Sequence, residues 1–176
     1  MMSLVYVFWM YVILFGVIGL LRGWAKELLV VFSVILALAL NHVLRKYIPI
    51  VEQLPDDSTS LFWIQSLVLG ALVFFGYQTV AFVPHLQAKA TREKLQDTLF
   101  GAILGAINGY LIAGTLLFYI VQTKYQAFPN VIETPNDQAA QALQTLLTYM
   151  PPHLLGEPGI YFAVILCFIF VLVVYI

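Results

Sequence analysis

Charged side chains are scarce in this sequence. Only 10% of its 176 residues are Asp, Glu, Lys or Arg, and 62% are hydrophobic, whereas a soluble domain carries about 25% charged residues. The mean hydropathy of +0.94 points in the same direction. Charge this sparse cannot cover a water-facing surface, so lipid must cover most of it. The composition therefore excludes an ordinary soluble domain and predicts an integral membrane protein.

Basic clusters, cysteine pairs and clustered histidines are also missing. The net charge is −1 and no basic run exceeds two residues, which argues against a nucleic-acid partner. Cys167 is the single cysteine, so an intrachain disulfide is excluded. His42, His85 and His153 lie in different segments, without the spacing of metal ligands. We therefore expect no metal site and no cofactor.

Five apolar windows each approach the roughly 17–25 residues that span a bilayer. The first has no basic segment before it and no small-residue cleavage pattern after it, which favours a retained helix over a signal peptide. We predict an all-α membrane protein with about five transmembrane helices plus a short amphipathic helix outside the membrane. The windows are Leu4–Leu21, Leu28–Leu44, Leu61–Val83, Thr98–Val121 and Ile160–Ile176.

Short polar segments separate these windows. Only "RGWAKE" lies between the first two, which predicts a tight antiparallel hairpin. Ser58, Thr59 and Ser60 are suitable N-caps for the third helix. The most charged stretch, "PHLQAKATREKLQD", predicts a short helix that leaves the membrane after Pro84.

The segment from Lys124 to Gly159 is a long excursion from the bilayer, and "TPNDQAAQALQTLLTYM" within it predicts one amphipathic helix. Thr134 can cap this helix and Pro135 suits its first position. Its polar face carries no lysine or arginine, unlike a helix bound to anionic lipid. Packing on the bundle, or lying passively at the interface, is therefore favoured. The apolar positions are Ala139, Ala140, Leu143, Leu146, Leu147 and Met150.

Loop charge predicts the orientation. With five spans, the two termini lie on opposite sides of the membrane. An N-terminus outside and a C-terminus in the cytoplasm place five basic residues inside and three outside, as the positive-inside rule favours. The amphipathic helix then lies on the outer face. The inside set is Arg22, Lys26, Lys89, Arg92 and Lys94, and the outside set is Arg45, Lys46 and Lys124.

The stretch "DTLFGAILGAINGYLIAG", residues 97–114, repeats glycine at every fourth position of an apolar helix. Glycine in a helix interior costs about 1 kcal/mol relative to alanine. Small residues at this spacing form a groove that lets a neighbouring backbone approach, and helices in lipid associate through such contacts. The pattern predicts a docking face, whose partner is a helix of this chain or of another protein. The face consists of Gly101, Gly105, Gly109 and Ala113.

The predicted spans contain no clear charged residue, which counts against ion-coupled transport. Asn108, deep in the fourth window, is interpreted as a hydrogen-bonding group between helices rather than a substrate ligand. Asp97 is expected to cap the fourth helix, and Glu27 to cap the second helix or to pair with Lys26 or Arg22. No set of nucleophile, base and orienting group can be assembled. We therefore expect no catalytic residue and no enzymatic activity.

Two stretches resemble the CvpA family, the colicin V production proteins. "GLLRGWAKELLVVFSVILALAL" is similar to the first hairpin of the family, with a glycine, then Arg-Gly, then a basic–Glu pair that opens the second helix. "DTLFGAILGAINGYLIAG" is similar to its fourth helix, which opens with Asp and repeats glycine. The matching residues are Gly19, Arg22, Gly23, Lys26, Glu27, Asp97, Gly101, Gly105 and Gly109.

The resemblance covers roughly residues 4–122 and divides the chain into three parts. These are a CvpA-like four-helix membrane core at 1–122, an extramembrane segment at 123–158 and an additional C-terminal transmembrane helix at 159–176. The family often has arginine just before the last of the repeated glycines, where this chain has Asn108. The additional helix is not part of the usual four-helix pattern, and it looks like an extra surface for docking.

The resemblance implies a bacterial inner-membrane protein tied to colicin V export, a form of toxin biosynthesis, or more broadly to envelope homeostasis. We expect it to act through helix packing and through contacts with membrane lipid and other membrane-protein subunits. Two alternatives stay open. One is an accessory structural subunit of a larger assembly, photosynthetic or otherwise energy-transducing, which the additional helix and the 15% aromatic content favour. The other, less favoured, is an oligomeric pore with a polar, uncharged lining.

Overall fold

The computed structural model describes residues 4–82, 94–128, 132 and 137–175. These residues form eight helices and no strand, which confirms the predicted all-α membrane protein. Four of the helices (α1, α2, α4 and α5) are long and apolar enough to cross a membrane, by length and composition. The helices are α1 Leu4–Arg22, α2 Trp24–Tyr47, α3 Pro49–Glu52, α4 Thr59–Phe82, α5 Lys94–Gln122, α6 Asp137–Leu147, α7 Pro151–Leu154 and α8 Gly159–Tyr175.

The window predicted as a fifth span corresponds to α8, an apolar helix of 17 residues. At about 1.5 Å per residue its length is roughly 25 Å, somewhat less than the ~30 Å hydrocarbon core. Its assignment as a membrane span stays a prediction. The helix packs on α2, where the ring of Phe168 lies 6.3 Å from that of Phe32 and Ile160 joins a buried cluster with Leu38.

Helix α1 packs antiparallel to α5, far along the chain. Gly19, near the end of α1, lies against Gly101, near the start of α5. Phe8, near the start of α1, lies beside Gly114 in the second half of α5. Helix α1 makes much less contact with α2, its neighbour in the sequence.

Helices α2 and α5 run parallel, and α4 runs opposite to both. Trp24 meets Asp97 where α2 and α5 begin, and Asn41 meets Tyr119 near their ends. Asn41 also reaches Gln65, near the start of α4. The bundle therefore has a hairpin end, where α1 turns into α2 at residue 23 and α5 begins, and a loop end, where α2 and α5 finish.

The main core lies between α2, α4 and α5, with one residue from α8. Its positions on α2 follow helical spacing, so one face of that helix is turned inward. The buried residues are Val30, Val31, Val34, Ala37, Leu69, Leu111, Ile112 and Cys167.

The amphipathic helix α6 packs on the bundle, which is one of its two predicted placements. Leu143 of α6 and Met150 beyond it are buried in a cluster with Phe8 of α1. The predicted first residues of this helix, Thr134 and Pro135, lie outside the described residues. The apolar face of α6 is thus covered by protein at the loop end.

The connecting segments agree with the expected turn chemistry where the structure describes them. Helix α4 begins at Thr59, and the amide N–H of Leu61 donates to Ser58 Oγ at 3.2 Å, so Ser58 caps this helix. The short helix predicted after Pro84 falls largely outside the described residues.

Candidate functional site

The glycine stripe of α5 packs against α1 of the same chain. A Cβ atom on Gly101 would collide with the carbonyl oxygen of Gly19, and one on Gly105 would lie 2.8 Å from the Cα of Gly19. A Cβ atom on Gly109 would lie 2.9 Å from the Cα of Val12. Real side chains do not approach a backbone so closely, so the contact between these helices requires glycine. The sequence left the partner of this face open, and the structure places it within the bundle.

The last small residue of the stripe, Ala113, packs against side chains near the loop end. Ala113 is partly buried and packs in the cluster that contains Phe8 and Leu117.

Gly23 forms the turn between α1 and α2. Its φ of 85° lies in the left-handed region that favours glycine. A Cβ atom there would also lie 2.6 Å from both carboxylate oxygens of Asp97. Backbone conformation and space therefore both require glycine, and the turn is tight enough that α1 ends at Arg22 and α2 begins at Trp24.

The carboxylate of Asp97 caps α2 rather than its own helix. Helix α5 begins at Lys94, so Asp97 lies in its first turn, beyond the cap position. Its Oδ1 accepts a hydrogen bond of 3.0 Å from the amide of Trp24, the first residue of α2. That amide has no carbonyl partner within its helix, and Gly23 has no side chain to supply one. The expected cap of α5 is thus a cap of α2, because the tight turn brings the amide to the carboxylate.

Glu27 is completely buried one turn into α2. Its Oε1 accepts a hydrogen bond of 3.0 Å from Arg22 Nη1, and its Oε2 accepts one of 2.8 Å from Asn108 Nδ2. The same amide nitrogen donates to the backbone carbonyl of Glu27 at 2.9 Å. A buried carboxylate needs such donors, since removal from water disfavours its charge. Pairing with Arg22 is one of the alternatives that the sequence left open.

Arg22 connects this pair to α4. Its Nη2 donates to the carbonyl oxygen of Tyr77 at 3.2 Å, and its guanidinium carbon lies 4.2 Å from the centre of the Tyr77 ring. A cation at this distance is attracted by the face of the ring. Helices α1, α2, α4 and α5 therefore each contribute to one polar group at the hairpin end. We name Arg22, Glu27, Tyr77, Asp97 and Asn108 the hairpin cluster.

The sequence windows missed the depth of Glu27. The second window begins at Leu28, whereas the candidate membrane span is Trp24–Tyr47 and includes this carboxylate. The predicted window therefore began four residues too late and left a buried carboxylate outside the span. The spacing held a usable signal, because Glu27 lies three and seven residues before Val30 and Val34, which are fully buried. A carboxylate in line with inward-facing valines is itself turned inward.

The hairpin cluster holds helices together through opposite charges and directed hydrogen bonds. Lys26, the remaining polar residue of the first stretch, lies in the first turn of α2 and is partly exposed. Within the described part of the chain, no group of three or more His, Cys, Asp and Glu side chains could hold a metal ion.

All five residues of the hairpin cluster fall within one family match. The model of the family described as Colicin V production protein matches residues 5–135, well over half of the chain. The chain belongs to the colicin V production protein family. It is a membrane protein of that family, and helices α6 to α8 lie beyond the matched residues. Neither the curated proteins nor the solved structures gave a match.

One difference from the pattern that the resemblance implies lies within the hairpin cluster. Asn108 stands where the resemblance leads us to expect arginine. In this chain Asn108 binds Glu27, and the cation beside that carboxylate is Arg22 of the hairpin.

Proposed function

We propose that this protein acts without catalysis and supports secretion or envelope homeostasis through contacts with other membrane proteins. The observation that carries this proposal is that the charged side chains of the hairpin cluster bind groups of the same chain. Arg22 binds Glu27, and Asp97 binds the amide of Trp24. These groups join helices of the chain, and the resulting bundle presents its outer faces to lipid or to neighbouring proteins. The proposal requires no cofactor.

The outer face of α8 supports the proposal. This helix packs on α2 and lies beyond the residues matched by the family. Its other side exposes large apolar side chains, including Phe162, Leu166 and Val173. The same face supports the second candidate function, an accessory subunit of a larger membrane complex such as an energy-transducing assembly. The identity of the proteins bound there would separate the two.

We infer a location in the bacterial inner membrane, with the loop end outside and the hairpin end in the cytoplasm. The fold gathers Arg22 and Lys26 at the hairpin end, and gathers Arg45, Lys46 and Lys124 at the loop end. In the sequence, the basic residues at 89–94 stand between α4 and the main part of α5. Counted together with Arg22 and Lys26, they make the side on which the hairpin lies the one that the positive-inside rule assigns to the cytoplasm.

Cysteine labelling tests this orientation. In a chain carrying Cys167→Ser, a membrane-impermeant thiol reagent applied to intact cells should label Gln144→Cys, an exposed position of α6. The same reagent should label Ala90→Cys only after the cells are opened. Labelling of Ala90→Cys in intact cells would reverse the assignment.

Substitution of the α8 outer face tests the function. The variant Phe162→Ala with Leu166→Ala should insert and remain folded, but should lose its co-purifying membrane proteins in mild detergent. It should also fail to restore detergent resistance to a bacterial strain that lacks the protein. The matched control is Ile13→Ala with Val17→Ala, two exposed residues of α1, which should behave like the parent. Equal partner recovery and equal resistance for both variants would exclude α8 as the functional surface.

A further inference from the structure

Helix α8 makes a narrow contact with the rest of the bundle. It packs on α2, and among its described side chains only Ile160 and Cys167, on one side of the helix, are buried. The contact is made by large side chains, as in the pair of Phe32 and Phe168, and not by the close glycine contact that joins α1 to α5. Lipid tails can replace such side chains, because apolar helix surfaces gain little from one another in a bilayer. Apolar packing alone therefore holds α8 weakly on α2.

A polar contact fastens the start of α8 to the end of α2. The carboxylate of Glu157, just before α8, accepts a hydrogen bond of 2.7 Å at its Oε1 from Lys46 Nζ. His42 Nε2 lies 2.9 Å from the same oxygen, and the hydroxyl of Tyr161 donates to it at 2.8 Å. His42 and Lys46 are one turn apart on α2, so both face this carboxylate. We name Glu157, Lys46, His42 and Tyr161 the α8 latch.

The chain on either side of Glu157 has room to move. A Cβ atom on Gly156 would lie 3.7 Å from the carbonyl oxygen of His153, and one on Gly159 would lie 4.0 Å from that of Leu154. These are ordinary contact distances, so packing requires glycine at neither position. Glycine leaves the backbone free to adopt other conformations, and hinges consist of a few such residues at the ends of helices. The segment that carries the latch can therefore also act as a hinge.

We propose that α8 is a hinged helix, which the α8 latch holds on α2 and which swings away from α2 when the latch opens. Lys46 and Glu157 are partly exposed, and pairs of this kind contribute modestly. The apolar contact that they supplement is also weak in lipid, so a modest polar attraction decides whether α8 stays docked. The consequence rests on the proposed function, because α8 carries the outer face that we expect to contact other membrane proteins.

Crosslinking of α8 to α2 tests the proposal without any partner protein. The full chain with Cys167→Ser, Phe32→Cys and Phe168→Cys is reconstituted in phosphatidylcholine vesicles and treated with a short bifunctional thiol reagent. Phe168 lies roughly 16 Å along α8 from the latch, at about 1.5 Å per residue, so this pair reports docking of the helix and not the latch itself. The matched control pair, Phe15→Cys with Tyr77→Cys, joins α1 to α4, and both pairs of parent rings are 6.3 Å apart.

Reversal of charge in the latch gives the decisive comparison. Lys46→Glu and Glu157→Lys each bring like charges together, and we expect each to lower the crosslinking yield between α8 and α2 at least threefold. The double variant Lys46→Glu with Glu157→Lys restores opposite charges and should regain the parent yield. The control pair should crosslink equally in every variant. An unchanged yield in the single variants would overturn the proposal, and so would a loss that the double variant does not restore.

Glu157→Gln repeats the test if the charge-reversed variants lose the control crosslink, which would mean that they have unfolded. It keeps the shape of the side chain but removes its charge, so the yield should again fall, and a yield equal to that of the parent would overturn the proposal. The result is separate from that of Phe162→Ala with Leu166→Ala. Parent-like partner recovery by that variant would overturn the proposed role of the outer face and leave the latch standing, whereas parent-like crosslinking in the latch variants would overturn the latch alone.

Discussion

The two ends of the bundle each contain an ion pair with the same N–O distance but different surroundings. At the hairpin end, Arg22 and Glu27 lie 3.0 Å apart, and their side chains are 21% and 0% exposed. At the loop end, Lys124 and Asp57 also lie 3.0 Å apart, but they are 73% and 44% exposed. Water screens the second pair and barely reaches the first. Distance alone therefore does not give the contribution of a pair, and burial decides it.

The largest effect should come from removing one partner of the buried pair. Arg22→Met leaves the Glu27 carboxylate buried without its cation, and we expect a loss of about 3 kcal/mol of stability. The double variant Arg22→Met with Glu27→Leu removes both charges and should be more stable than Arg22→Met alone. Titration with SDS in mixed micelles measures both values.

The exposed pair provides the matched control. Asp57→Asn removes one charge from the pair at the loop end and should cost about 0–1 kcal/mol. A loss for Asp57→Asn as large as that for Arg22→Met would mean that burial does not separate the two ends.

A smaller effect on stability should distinguish a glycine in a close helix contact, Gly105, from a glycine in open space, Gly70. Gly105→Leu inserts a side chain into the contact with α1, and overpacking of this kind costs about 1–3 kcal/mol. Nothing lies within 4 Å of a Cβ atom at Gly70 on α4, so Gly70→Leu should gain up to roughly 0.8 kcal/mol of helix propensity. Thermal stability of the isolated chain in mild detergent measures both. If Gly105→Leu is as stable as Gly70→Leu, the close contact between α1 and α5 is wrong.

The smallest expected effect is the loss of the stability that Glu157 contributes at the loop end when the pH falls. Lys46, Tyr161 and His42 bind the carboxylate of Glu157 and lower its pKa from 4.5 to about 2. A lowered carboxyl pKa stabilises the fold above the unfolded value, and this stabilisation is lost as the pH falls through the folded value. The difference in melting temperature between the parent and Glu157→Gln should therefore be full at pH 6 and shrink between pH 4.5 and pH 2. A difference that grows across this range would contradict the assignment.

The positions of the helices could be predicted from the sequence, because apolar composition and the helical spacing of apolar residues are properties of each segment by itself. The apolar windows placed α1, α2, α4 and α5, and the spacing of Leu143, Leu146 and Leu147 predicted the amphipathic α6. The four-residue spacing of glycine likewise predicts a close contact, since it depends only on one helix. The ends of α2 were predicted less well, because charged residues such as Glu27 can extend a buried helix when another helix neutralises them.

The contacts within the hairpin cluster could not be predicted without knowing which helices are neighbours. Asp97 has a local role available as a cap of α5, and the sequence offered no reason to prefer Trp24, 73 residues away. Asn108 likewise has no local partner, and its binding to Glu27 depends on α2 and α5 lying side by side. Pairings between distant residues are set by the packing of the whole bundle, so a local pattern could name the polar residues but not join them.

The preference of α1 for α5 over α2 has a consequence for biosynthesis. The ribosome synthesises α1 and α2 first. The residues of α5 that contact Gly19 follow about 80 residues later. At roughly 5–20 residues per second this delay lasts roughly 4–16 s. During that interval Glu27 is without Asn108, so a carboxylate faces the bilayer or the insertion machinery with Arg22 as its remaining donor on the hairpin. Pairing of Arg22 with Glu27 inside one hairpin thus keeps the early chain insertable until α5 arrives to complete the bundle.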